Sequence, residues 1–203
     1  MVQIINIGAP VNNSGAPKAP AGVWIDNGAP SYSGDVTNEH VHITPFISSV
    51  DIDATRLAMV QTGQTSSGYY RWGLYNEDGT SRLATTDIGF DFGQNVILEN
   101  DLDTTAYIKA NTLYWAYVQN STGSNNVISR ISTSAGREFG YSQFIRHPVF
   151  RAHDDPDGAF YATRHNPNAD VAIPASISDR LGLANFQAQT NDQALWFALA
   201  DWT

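Results

Sequence analysis

Residues 69–93 read YYRWGLYNEDGTSRLATTDIGFDFG, and the period of this stretch is two. Tyr70, Trp72 and Leu74 share one face of an extended segment, while Arg71 and Gly73 share the other. Ile88, Phe90 and Phe92 alternate in the same way with Gly89, Asp91 and Gly93. Between the two runs lies Asn76-Glu77-Asp78-Gly79, whose Asp-Gly step supplies the backbone freedom a hairpin turn needs. Strand, turn, strand is the reading, and it sets the expectation for the rest of the chain.

The same alternation continues on both sides. Val41 and Ile43 oppose His40, His42 and Thr44. Leu113 to Val118 is apolar on both faces, as expected of a central strand covered on both sides. Val127, Ser129 and Ile131 alternate next, and further strands are expected over Phe139 to Ile145, Phe160 to Thr163 and Leu195 to Trp202. Loops fall at Thr122 to Asn126 and at Asp154-Asp155-Pro156-Asp157-Gly158, where turn-forming residues cluster. The best helical candidate, Ser176 to Ala188, contains Gly182 and has no sustained apolar stripe, so a turn or two is expected there. Short strands punctuated this regularly predict an all-β chain, a sandwich or a barrel.

Composition narrows the partners. The chain has 203 residues, formal net charge −9 and only 15% charged residues. Lys18 and Lys109 are its only lysines. Binding phosphates requires clustered Lys and Arg, so neither a nucleic acid nor an anionic membrane surface is expected as a partner. There is no cysteine, which excludes disulfides, thiol nucleophiles and cysteine zinc sites. No apolar run is long enough to span a membrane, and MVQIINIGAP lacks the basic start of a secretion signal. What remains is an acidic protein with a largely uncharged polar surface, expected to be soluble.

Residues 1–22 read differently from 23–203. Val2, Ile4, Ile5 and Ile7 run into a Gly/Ala/Pro-rich stretch, with Gly-Ala-Pro at Gly8, Gly15 and again at Gly28. Such a stretch buries too little apolar surface to offset its own ordering. It reads as an N-terminal arm serving as an assembly anchor, followed by a β domain over residues 23–203. The four apolar residues are expected to contact a partner, because exposed apolar clusters mark interfaces.

Two fragments carry a family resemblance. Arg71, Gly73 and Tyr75, followed by the turn Asn76 to Gly79, match an Arg-x-Gly-x-Tyr strand. Tyr114, Trp115, Ala116 and Val118, a Tyr-Trp-Ala-x-Val run, resemble a second strand further on. Together they resemble the jelly-roll β-sandwich module of tailed-bacteriophage virion proteins of the head-fibre, tail-fibre and decoration type. The resemblance implies an antiparallel, jelly-roll-like sandwich and a virion location. It also implies a homo-oligomer, a trimer by analogy, bound to other capsid or tail proteins.

Chemical sites are few. His40 and His42 project from one strand face, where they could bind a metal or meet copies of themselves, but two imidazoles make an incomplete metal site. They are assigned to an exposed or interfacial polar face. His153 to Gly158 gathers oxygen ligands without EF-hand spacing and reads as a solvated turn. Glu99, Asp101 and Asp103 could likewise bind calcium, and an acidic hairpin loop explains them equally well. Neither Glu77, in a turn, nor Glu99, beside a loop, looks buried enough for general acid work. There is no Gly-x-Ser-x-Gly, phosphate loop or His-Glu-x-x-His. No enzyme activity, metal or cofactor is expected. Of the aromatic residues Trp24, Tyr69, Trp72, Trp115, Trp196 and Trp202, most are assigned to the core, while Trp24 and Trp202 are expected to face a neighbour. Exposed, they would stack on sugars, which gives the alternative reading: a fibre-tip adhesin recognising a host-surface glycan.

Overall fold

The computed structural model describes residues 5–6, 24–26, 32–36, 41–48, 50–63, 68–89, 96–120, 126–132, 172–178, 181, 193–195 and 197–201. Among these the structure is all-β, with twelve strands and no helix. In chain order they are β1 (Ile5–Asn6), β2 (Trp24–Asp26), β3 (Tyr32–Val36), β4 (Val41–Ile47), β5 (Ile52–Gly63) and β6 (Tyr69–Tyr75), then β7 (Arg82–Gly89), β8 (Val96–Ile108), β9 (Leu113–Asn120), β10 (Asn126–Ser132), β11 (Gln193–Leu195) and β12 (Ala198–Ala200).

They form two sheets. The smaller runs β4-β9-β6-β7, and the larger runs β1-β2-β12-β5-β10-β11, with β3 on β10 and β8 on β5. Pairing is antiparallel throughout, except that β1 runs parallel to β2 and an isolated Ser48–Ala110 bridge is parallel. The β6–β7 hairpin turns where the sequence places it. Gly79 N–H donates to Asn76 O at 3.0 Å, and Gly79 has φ +69°, a conformation glycine adopts without strain.

One buried cluster draws on both sheets. Phe46, Tyr70, Trp72, Leu74, Ile88, Tyr114, Ala116 and Val118 come from the smaller sheet. Ile52, Leu57, Met59, Leu102, Ala106, Ile108 and Leu199 come from the larger. Phe197 locks the two together, with its ring 5.1 Å from Phe46 edge-on and 5.8 Å from Trp72. At roughly 1.5–3 kcal/mol for each large apolar side chain buried, this cluster supplies the main driving force for the fold.

The other face of the smaller sheet is buried as well. Ile43, Tyr75, Leu113, Trp115 and Tyr117 are all inaccessible or nearly so, although the register places them opposite the shared cluster. Leu113 to Gln119 is therefore buried residue after residue, as the doubly apolar sequence predicts. Part of the cover is the segment 172–178. Its Ile173 approaches Gly73 so closely that a Cβ there would meet Ile173 Cγ2 at 2.7 Å. Tyr75 OH donates to Pro174 O at 2.6 Å, Arg82 N–H to Ala175 O at 3.0 Å, and Ile177 N–H to Gly79 O at 2.7 Å.

The structure corrects several expectations. Trp72 and Trp115 are both buried, but on opposite faces of the sheet rather than in one interior, because they differ by an odd register step (Trp72 pairs with Val118, Trp115 with Tyr75). Thr44, expected on a polar outer face with the histidines, is buried opposite Ala116. Glu99, Asp101 and Asp103 belong to strand β8, not to a hairpin loop. Tyr69 is only half-buried, on the Arg71 side of β6 rather than in the core. The expected strand from Leu195 to Trp202 is split: β11 pairs with β10, and β12 pairs with β2 and β5. Phe90 and the expected strands over Phe139 to Ile145 and Phe160 to Thr163 lie outside the described residues. Of 176–188, the described part holds one turn, in which Leu181 N–H donates to Ile177 O at 3.2 Å.

Candidate functional site

The two sheets meet along β7 and β8, and side chains rather than a backbone ladder join them. Thr86 Oγ1 donates to Asp101 O at 2.7 Å. Thr85 gives its backbone N–H and its hydroxyl to the two oxygens of Asp103, at 2.7 and 2.8 Å. Asn100 Nδ2 donates to Asp87 O at 2.8 Å. The joint depends on an excursion in β8: four residues, Leu102 to Thr105, lie between the partners of Arg56 and Ala54 on β5. Leu102 turns into the core, and Asp103 is left beside β7.

A cleft of about 600 Å³ opens over this seam, lined by Arg71, Arg82, Thr85, Thr86, Asp87, Asn100, Asp101, Asp103, Ala172 and Ile173. Its charged groups are held from within. Arg56 bridges Asp101 at 2.6 Å and Glu99 at 3.0 Å. Arg82 Nη1 donates to Ile173 O at 2.6 Å. Arg71 lies over the Tyr69 ring, bonds its hydroxyl, and stands 3.9 Å from Asp87. Partial burial pushes the Asp87 carboxyl above the ordinary aspartate value, and the Arg71 charge opposes that shift. Away from the cleft, hydrogen bonds from Thr80 hold Asp78 below the ordinary value.

Sequence reading singled out Arg71, Asp101 and Asp103 but did not bring them together. A signal for one pair was present: Arg71 and Asp87 stand equally far before and after Gly79, so the hairpin register sets them opposite each other. Nothing in the sequence places 172–173 across this hairpin. Of the expected contact residues, Ile5 pairs with Ile25 in β1–β2 and His42 with Val118 in β4–β9. Val2, Ile4, Ile7, His40 and Trp202, like the loop from His153 to Gly158, lie outside the described residues. Among the described residues no group of three acidic or imidazole side chains is arranged to hold a metal ion. No protein-family model matches the chain, and no curated protein is found to be similar to it in sequence.

Proposed function

We propose that the chain is a non-enzymatic structural protein of a tailed-phage virion, a capsid decoration or head-fibre protein or a tail component. In this reading the two sheets form a jelly-roll-type sandwich. Residues 1–22 anchor it to its particle, and the working unit is a homo-oligomer, a trimer by analogy.

One observation carries the reading. The two fragments that resemble the phage module are hydrogen-bonded neighbours: Gly73 pairs with Tyr117 and Tyr75 with Trp115 across β6 and β9. The resemblance therefore rests on one contiguous patch and not on two unrelated segments. In that patch Gly73 admits Ile173, and Tyr75 bonds Pro174. These matched residues do structural work, which suits a module characterised by architecture rather than by chemistry. The glycan-reading alternative draws on exposed aromatic residues; Trp72 and Trp115 are fully buried, as core residues, while the side chains of Trp24, Trp196 and Trp202 lie outside the described residues.

The test is location. An antibody raised against this chain should label intact, washed particles, and mass spectrometry of those particles should find the protein in a fixed ratio to the capsid protein. Particles that lack it, from cells that express it, would overturn the reading.

A further inference from the structure

We propose that the cleft over the β7–β8 seam binds a neutral sugar, with Asn100, Asp101, Asp103 and Arg82 contacting its hydroxyls and Ile173 its carbon face. This goes beyond the structural role above and does not depend on it.

Size is the first argument. About 600 Å³ falls inside the roughly 300–1,000 Å³ usual for small-molecule sites. Charge is the second. Arg56, Arg71 and Arg82 stand among Asp87, Asp101 and Asp103, with Glu99 sharing Arg56. The balance is close to neutral, so a phosphate would meet the carboxylates and a divalent cation would meet the guanidinium groups. A neutral ligand meets neither repulsion.

Preorganisation is the third. Asp103 is fixed by both donors of Thr85, Asp101 by Arg56, and Arg82 by Ile173 O. An ionised carboxylate offers about four lone-pair positions and a guanidinium five N–H groups. Asp103 and Arg82 therefore keep acceptor and donor capacity after their internal bonds are made. Fixed acceptors beside fixed donors suit adjacent hydroxyls, each of which both donates and accepts. Groups already held in place lose little freedom on binding. The exposed Ala172 and the rim of the largely buried Ile173 add an apolar edge for the C–H face of a pyranose ring.

The experiment uses the full-length protein and ¹H–¹⁵N spectra. Methyl glycosides of glucose, galactose, mannose and N-acetylglucosamine are titrated singly at millimolar concentration, with inorganic phosphate and calcium chloride as charged probes. The expected result is saturable shifts of the Thr85, Asn100 and Asp103 amides with at least one glycoside and with neither ion. Asn100→Ala and Asp101→Asn alter exposed side chains, and each should weaken that glycoside about tenfold, the equivalent of one hydrogen bond within a polar site. Unchanged spectra away from the cleft show that each variant is folded. No saturable shift with any glycoside, saturation by phosphate or calcium instead, or full affinity in both variants would overturn the proposal.

Discussion

Trp72 and Trp115 are equally inaccessible and differently satisfied. Trp115 Nε1 donates to Glu77 O at 2.7 Å and so ties β9 to the hairpin turn. Trp72 Nε1 has no hydrogen-bond partner among the described residues. Replacing either by Phe removes similar apolar volume, but only Trp115→Phe leaves a carbonyl without its donor. Trp115→Phe should therefore be the more destabilising, by about 1 kcal/mol, in paired denaturant unfolding curves. Equal losses would show that the Glu77 bond contributes nothing. Two aspartates give the pH behaviour opposite signs. Asp78, with its pKa lowered by Thr80, stabilises the fold above its unfolded pKa, and that contribution is lost as pH falls through the lower folded value. Asp87, with its pKa raised by burial, favours the protonated fold, so its ionisation opposes folding as pH rises through the raised value. Carboxyl ¹³C titration should give Asp78 a midpoint below the ordinary aspartate value and Asp87 one above it, and Asp87→Asn should be neutral or stabilising at pH about 7. A reversed order of midpoints would contradict these environments.

At the level of elements, the seam between β7 and β8 separates buried from exposed polar contacts. Thr86 is buried and donates to Asp101 O, so Thr86→Val keeps the shape, strands that carbonyl, and should cost about 1 kcal/mol. Arg56, about one-third exposed, pairs with Glu99 and Asp101 in solvent. Arg56→Ala should cost less, in the roughly 0–1 kcal/mol range of exposed ion pairs. Chemical denaturation of both variants, with amide exchange along β7 and β8, checks the ranking. The elements also show what could be read in advance. The alternation read over Ile88 to Gly93 meets β7 only at its last two residues, Ile88 and Gly89, whereas β6 and β9 were legible because an unbroken period-two pattern or a doubly apolar run leaves one interpretation. β5 was not. Ile52 and Ala54 face the core on even positions and Leu57 and Met59 on odd ones, because the register shifts between Ala54 and Arg56. A bulge of this kind reverses the phase of the alternation and erases its signal. β8 hid for another reason: Asn100 and Thr104 interrupt its apolar face beside Leu98, Leu102, Ala106 and Ile108, and its acidic residues imitate a loop. The cleft was illegible because Ile173 and Arg82 are brought together by a contact across 91 sequence positions, which no local pattern encodes.

At the scale of the whole molecule, the all-β class of the described residues follows from the alternation, and one buried cluster draws on both sheets. The two strands that carry the phage resemblance lie side by side within the smaller sheet. The proposed role adds an anchor to that body. Of residues 1–22, Ile5 and Asn6 pair with Ile25 and Asp26 at the end of the larger sheet's strand order, and the described members of the shared cluster run from Phe46 to Leu199. Removing the segment should leave that cluster intact and change the melting temperature little. If the segment is the anchor, its loss should abolish incorporation all the same. The direct measurement is to supply full-length protein and residues 23–203 separately to particles lacking the protein, and to quantify bound copies per particle. The account predicts near-full occupancy for the complete chain and almost none for the folded truncation. Equal occupancy by the two would contradict it.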